Sequence, residues 1–276
     1  MKKRLSCFLL ILLLLLSPAP MPVRAEETLR LPIVMYHHIS ENPQQWNDYV
    51  ISPAEFEADL RYLRDQGYET ISVSQLLDWQ AGQFQMPEKP CMITFDDGFE
   101  STRVYAEPLL AEYGFCGVVA VIGAVCEKFS QVDVHKPDTD NMSWEEVGEM
   151  ANRGVIQIQC HTWNMHALYP RRGCNRQRGE SDESYRRVLS GDLDRFLSAC
   201  RERDFELQPS IAYPYGSHCA ETTRTVQAMG FLAAFTCAEK VNVLTGEPAE
   251  LYDLGRYNRP HGVSSENFFR KWEENA

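Results

Sequence analysis

The chain has 276 residues, 44% of them hydrophobic, and carries 27 basic against 39 acidic side chains, a net charge of −12. This acidic balance argues against nucleic acid and anionic membranes as partners, and suits a neutral polymer or one that becomes cationic. No repeat, low-complexity tract or Ser/Pro-rich linker divides the chain, so one large α/β domain is expected rather than two small ones.

The N-terminus reads as a targeting segment. Lys2, Lys3 and Arg4 form a basic head, Leu5 to Leu16 an apolar run, and Val23-Arg24-Ala25 a cleavage site before Glu26. The run is shorter than the roughly 18 residues of a spanning helix. Residues 1–25 are therefore expected to be a cleaved signal peptide, with retention as an N-terminal anchor the alternative. Cleavage would leave 23 basic against 39 acidic side chains, a charge of −16. Residues 26–276 are then expected to form a secreted or cell-surface, cell-wall-associated monomer. Eight cysteines follow, and an even number in an exported protein permits disulfides. Cys91 and Cys160, however, fall in apparent core strands, where cysteine serves as a small hydrophobe. No CxxC spacing occurs, so a thiolate zinc site is not expected.

Leu31 to Tyr36 reads as a short strand running into His37-His38. Ser52-Pro53-Ala54-Glu55 combines an N-cap, a first-turn proline and a capping-box acid, and Phe56, Leu60 and Leu63 continue at helical spacing to Gly67. A strand edge at Thr70–Val73 and a short helix at Leu76–Gln80 come next. Cys91 to Phe95 is a buried strand that ends abruptly in Asp96-Asp97-Gly98, before a helix from Thr102 to Tyr113. Gly117 to Ile122 is a strand, and Ser143-Trp144-Glu145-Glu146 opens a helix that closes at Gly154. The strand Val155–Cys160 runs into His161. A long loop from Ala167 to Asp182, with Arg171, Arg172, Arg176 and Arg178, leads to an amphipathic helix over Tyr185–Cys200. Ser210–Ala212 is a strand followed by Tyr213-Pro214-Tyr215-Gly216. A helix at Glu221–Met229, a strand at Leu232–Thr236 and a terminal helix at Ser265–Trp272 complete the reading.

This alternation implies parallel βαβ units. His37, Asp96-Asp97, His161 and Tyr213-Pro214-Tyr215 all fall just after strands. A (β/α) barrel gathers such ends at one face, and no GxGxxG or P-loop follows any strand, so a barrel is favoured over an open doubly wound sheet.

Adjacent residues on a strand point to opposite faces, so two carboxylates at a strand end can serve two tasks. His161 and His166 are five apart, a spacing that neither helix nor strand brings to one face; convergence needs His161 at the strand end and His166 beyond a turn, with Thr162 free to bond the turn backbone. One carboxylate and two imidazoles make a three-ligand site with open positions, suited to catalytic zinc and tolerated by cobalt, nickel or iron. The remaining Asp would take a proton from water. This is machinery for hydrolysing an amide or ester.

Thr94-Phe95-Asp96-Asp97-Gly98, the His161-Thr162 loop and Tyr213-Pro214-Tyr215-Gly216 resemble the polysaccharide deacetylases, the NodB-homology or family-4 carbohydrate esterases, from about residue 88 onward. Pro32 to His38 and the five-residue histidine spacing are similar to the branch that deacetylates poly-N-acetylglucosamine adhesins. The resemblance implies a distorted (β/α) barrel, a divalent metal and removal of N-acetyl groups from glucosamine polymers. It also implies Asp96 as base, Asp97, His161 and His166 as ligands, and the Tyr215 N–H as oxyanion donor. Many relatives carry an arginine where this chain has Ala212; Arg256 is the expected replacement, pairing with Asp96, with a mere surface pair the alternative. His261 is the expected general acid, with an exposed loop histidine as its bland reading. Trp163 and Tyr215 are expected to stack on sugar rings, with Tyr213 and Pro214 also touching substrate; core packing is the rival for Trp163. His37 and Thr162 are expected just behind the reacting groups, His37 otherwise being a buried strand-end residue satisfied by backbone. Alternative functions are a peptidoglycan or O-acetyl-xylan deacetylase and a non-catalytic carbohydrate-binding relative.

Overall fold

Short uninterrupted apolar runs become the strands of one parallel sheet. The computed structural model describes residues 28–274, so the expected signal segment lies outside the described residues. Strands β1 (Ile33–Tyr36), β2 (Pro90–Phe95), β3 (Gly117–Val121), β4 (Ile156–Cys160), β5 (Leu207–Ala212), β6 (Ala233–Phe235) and β7 (Tyr257–Asn258) stand in the order β6-β5-β4-β3-β2-β1-β7. Every neighbouring pair is parallel. Residues 254–258 join the two edges: Leu254 bridges to Phe235 in β6, and Tyr257 pairs with Val34 in β1. The result is a distorted (β/α) barrel in a single domain.

Strands of such a sheet are covered on both faces, which is why they read as continuous apolar runs. The period of two nevertheless sorts them. Ile33, Met92, Val118, Ala120, Ala212 and Phe235 share one inner cluster, while Val34, Tyr36, Ile93, Phe95, Val119, Val121, Ile158 and Ile211 share the larger cluster under the helices. Extending the inner alternation past the strand ends reaches His37, Asp96 and His161. The pleat itself therefore aims these three at the barrel mouth.

The surrounding helices are α1 (Pro53–Asp65), α2 (Val73–Gln80), α3 (Glu107–Tyr113), α4 (Gly123–Phe129), α5 (Trp144–Arg153), α6 (Asp182–Glu202), α7 (Ala220–Ala228), α8 (Ser265–Phe269) and α9 (Lys271–Glu274). Ser52 and Ser143 form the expected capping boxes on α1 and α5. The expected helix at Leu76 starts earlier, at Val73, because Ser72 and Gln75 form a third capping box. The single helix expected over Thr102–Tyr113 opens with a π-helical turn at Thr102–Ala106, and α4 is an addition to the expected elements. The eight cysteines from Cys91 to Cys237 are all free thiols. Among the described residues no helix is long and apolar enough to cross a membrane.

Candidate active site

The β2 strand delivers Asp96 and Asp97 to the barrel mouth, but alternation alone does not separate them. Asp97 is left-handed, with φ 70°, and so is Gly98. A Cβ at Gly98 would also stand 3.0 Å from Val121 Cγ1, so glycine is needed there for both conformation and space. Asn141 Nδ2 donates to the Asp97 carbonyl at 2.8 Å and Met142 N to the Gly98 carbonyl at 3.0 Å, holding this turn from outside.

Asp96 points inward and is almost fully buried. Arg256, in the seam between β6 and β7 and 0% exposed, grips it with two parallel bonds, Nη1 to Oδ1 and Nη2 to Oδ2, each 2.7 Å. The Arg256 Nε donates to the Thr236 carbonyl at 3.0 Å, which fixes the fork. Burial pushes the Asp96 pKa up, but the Arg256 guanidinium pulls it down, so the carboxyl stays ionised.

Asp97 faces the histidine pair. His161 Nε2 and His166 Nε2 stand 3.4 and 3.1 Å from Asp97 Oδ1. Burial raises the Asp97 pKa, and a positive charge on the two imidazoles would more than reverse this, holding it far below the usual carboxylate range. The Nδ1 of His161 lies 2.8 Å from the Ala212 carbonyl, and that of His166 lies 3.1 Å from the Tyr215 hydroxyl. In the neutral rings the Ala212 carbonyl fixes the His161 proton on Nδ1, and a proton on His166 Nδ1 would likewise turn both Nε2 lone pairs toward Asp97. Asp97 Oδ1 is itself buried with no well-formed hydrogen bond. Half-buried Asp97 and His166 and buried His161 bring two nitrogens and one oxygen close enough together that they could hold a divalent cation.

The turn that brings His166 back to His161 passes through Thr162, left-handed at φ 69°, whose Oγ1 accepts from Met165 N at 3.1 Å. His37 completes the mouth. Its Nδ1 is buried and unpartnered, its ring packs edge-on against Tyr49 at 5.0 Å, and burial lowers its pKa against the upward pull of the Asp96 and Asp97 charges. Backbone satisfaction, the bland reading of His37, does not extend to that nitrogen.

Four expected residues are placed differently. His261 bonds Glu55 Oε2 at 2.8 Å and packs on Trp46, because the capping acid of α1 also draws in Gly262 N at 2.8 Å. Among the described residues no hydrogen bond or ion pair joins His261 to Asp96, Asp97 or the histidine pair. Trp163 is 7% exposed, packed on Gly123 and stacked with Trp144, with the Arg195 guanidinium 4.2 Å from its ring, so the indole belongs to the core and is not free to stack on a sugar. Tyr213 is fully buried and stacks on His218, and Pro214 is buried too. Of that turn only Tyr215 reaches the mouth, at φ 59°, with Arg172 of the 167–181 loop 5.9 Å above its ring.

Sequence reasoning missed Asn141 and Asp192, which bond the backbone of the two ligand turns. Neither stands in a motif; the only available signal was an acid beside the apolar stripe of α6. A second trio, Glu100, His135 and Glu146, also comes within ligating reach, but its groups are already engaged. Arg103 pairs with both carboxylates, His135 Nε2 faces the Phe129 carbonyl at 3.0 Å, and Glu146 caps α5.

Two carboxylates and two imidazoles at the strand ends of a parallel barrel are a site of the kind that hydrolyses amides and esters. Residues 84–234, more than half of the chain, match the polysaccharide deacetylase family, and the chain belongs to that family of hydrolases. It is similar to YxkH of Bacillus subtilis strain 168, 28% identical over 85% of this chain and 71% of that protein. It is also similar to the poly-β-1,6-N-acetyl-D-glucosamine N-deacetylases of Escherichia coli K12 and Staphylococcus aureus MRSA252, each 24% identical over 74% and 70% of this chain. The chain spans 33% of the Escherichia coli protein's length and 63% of the Staphylococcus aureus one. Among solved structures, a de-N-acetylase from Aggregatibacter actinomycetemcomitans superposes with a TM-score of 0.73 at 20% identity, covering 90% of this chain and all of that one. IcaB from Ammonifex degensii gives 0.67 at 26% identity, over 83% and 91%.

Proposed function

We propose that the chain is an exported, metal-dependent deacetylase that removes N-acetyl groups from poly-N-acetylglucosamine. The observation that carries this reading is the meeting of Asp97, His161 and His166 beside an Asp96 already ionised by Arg256. Similarity to the poly-β-1,6-N-acetyl-D-glucosamine deacetylases supports the choice of polymer. The acidic net charge suits a product that gains an amine at each cleaved acetamide. The segment 1–25 would direct export.

Asp97 Oδ1 and the two Nε2 atoms would hold the metal, zinc first and cobalt or nickel as substitutes. When bound, it would supply a Lewis acid that polarises the acetyl carbonyl and eases ionisation of water. Asp96 takes a proton from the attacking water, its carboxylate oriented by the Arg256 fork. The Tyr215 N–H donates to the oxygen that gains charge as water adds, an interaction of about 3–4 kcal/mol in comparable sites. His37 delivers a proton to the departing amine. It takes the role expected of His261, which is committed to Glu55.

Acetate release from β-1,6-linked N-acetylglucosamine oligomers, chito-oligomers, peptidoglycan and acetylated xylan, with zinc, cobalt or nickel added, tests the reading. The β-1,6-linked oligomers are expected to be the best substrate, and Asp96→Asn and His37→Gln to be nearly inactive on them. Preference for peptidoglycan or xylan would reassign the polymer. Binding of oligomers with no acetate at any metal loading would make the protein a carbohydrate-binding relative.

A further inference from the structure

The turn Thr162–Met165 joins His161 to His166 and is held from two sides. The Thr162 and Trp163 carbonyls accept from Gly123 N at 3.1 Å and Ala124 N at 2.8 Å, at the start of α4. On the other side the next two amides converge on one carboxylate: Trp163 N donates to Asp192 Oδ1 at 2.7 Å and Asn164 N to Asp192 Oδ2 at 2.9 Å. Asp192 lies on α6, on the turn between the buried Leu189 and Leu193, so the core packing of a long helix fixes its position. A carboxylate accepting two successive amides sets both peptide planes, and these carry the chain through the left-handed Thr162 and on to His166.

From this arrangement we infer that Asp192 is a positioning residue for the metal triad, setting the His161–His166 spacing before any cation arrives. The inference rests on the ligand set proposed above. It explains how a five-residue spacing, one that no regular element brings to a single face, yields two imidazoles on one oxygen. Asp192 touches neither substrate nor metal; it acts only through the turn. Asparagine at the same position would put an amide donor against one of the two backbone N–H groups, loosening the turn while α4 still holds its carbonyl side.

The test uses the full chain, metal-free, in wild type, Asp192→Asn and Asp192→Ala. Zinc affinity is measured by competition with a chromophoric chelator, cobalt coordination by the visible spectrum, and amide exchange over 161–166 in the metal-free wild type. Both variants are expected to lose about tenfold or more in zinc affinity and to show an altered cobalt spectrum, while melting close to the metal-free wild type. Trp163 and Asn164 are expected to be protected in the metal-free wild type. Zinc affinity within twofold of wild type and an unchanged cobalt spectrum would overturn the inference while leaving the metal site intact. So would free exchange of these amides until metal is added, a readout that stands even if a variant fails to fold. A wild type that binds neither zinc nor cobalt would instead overturn the ligand set, and the inference with it.

Discussion

Arg256 and Asp96 are both withdrawn from water, so their pairing has consequences in two directions. Removing the guanidinium in Arg256→Ala leaves a buried, unpaired carboxylate and is expected to cost about 3–5 kcal/mol, read as a fall in denaturant midpoint. Arg256→Lys keeps a charge but not the fork, and is expected to lower kcat about 10²-fold with little change in KM. A lysine variant with wild-type kcat would mean that the two-bond grip does nothing for the base. Trp163→Ala, in contrast, is expected to lose about 3–5 kcal/mol of stability, since its indole fills space against Gly123 and Trp144. A raised KM at unchanged stability would restore the sugar-stacking role. The paired Asp96-Asp97 was legible because it ends an apolar run abruptly at a strand end, and Arg256 followed from the resemblance, as the replacement for the arginine that many relatives carry where this chain has Ala212. Trp163 was not legible. An aromatic beside a strand-end histidine looks the same in sequence whether it meets substrate or the glycine that opens α4.

At the level of elements, caps were readable and held turns were not. Ser-x-x-Glu names its own hydrogen bonds, so α1 and α5 were predictable almost to their ends. Helix α4 carries no side-chain cap, begins at a glycine and runs only seven residues. Its first amides are engaged by the histidine turn, a contact that no local pattern encodes. The cap of α1 also explains why His261 is drawn from the mouth. Glu55 receives Ser52 N, Ser52 Oγ, Gly262 N and His261, and although burial pushes its pKa up, these donors bring it from 4.5 down to about 2. A folded pKa below the unfolded one contributes stability that is complete above about pH 4.5 and is lost as pH falls toward 2. Glu55→Gln keeps the capping geometry without that titration. Denaturation followed from pH 5 to 2 is expected to show a shallower loss of stability in the variant; parallel curves would show that Glu55 does not supply the acid sensitivity.

Over the whole molecule, rhythm and strand-end residues pointed to a barrel, and the pleat explains why His37, Asp96 and His161 share its mouth. How the barrel closes was beyond sequence reasoning, because residues 254–258 make one bridge to β6 and a two-residue pairing to β1 rather than a strand of recognisable length. That seam places Arg256 against Asp96, so fold closure and catalytic competence are expected to be lost together when it is disturbed. The central claim is that three side chains distant in sequence share one divalent ion. Metal content after dialysis, in wild type and Asp97→Ala, measures it most directly. One equivalent of zinc or cobalt per chain in the wild type and none in the variant is the predicted result; an Asp97→Ala chain that retains its metal at wild-type affinity would contradict it.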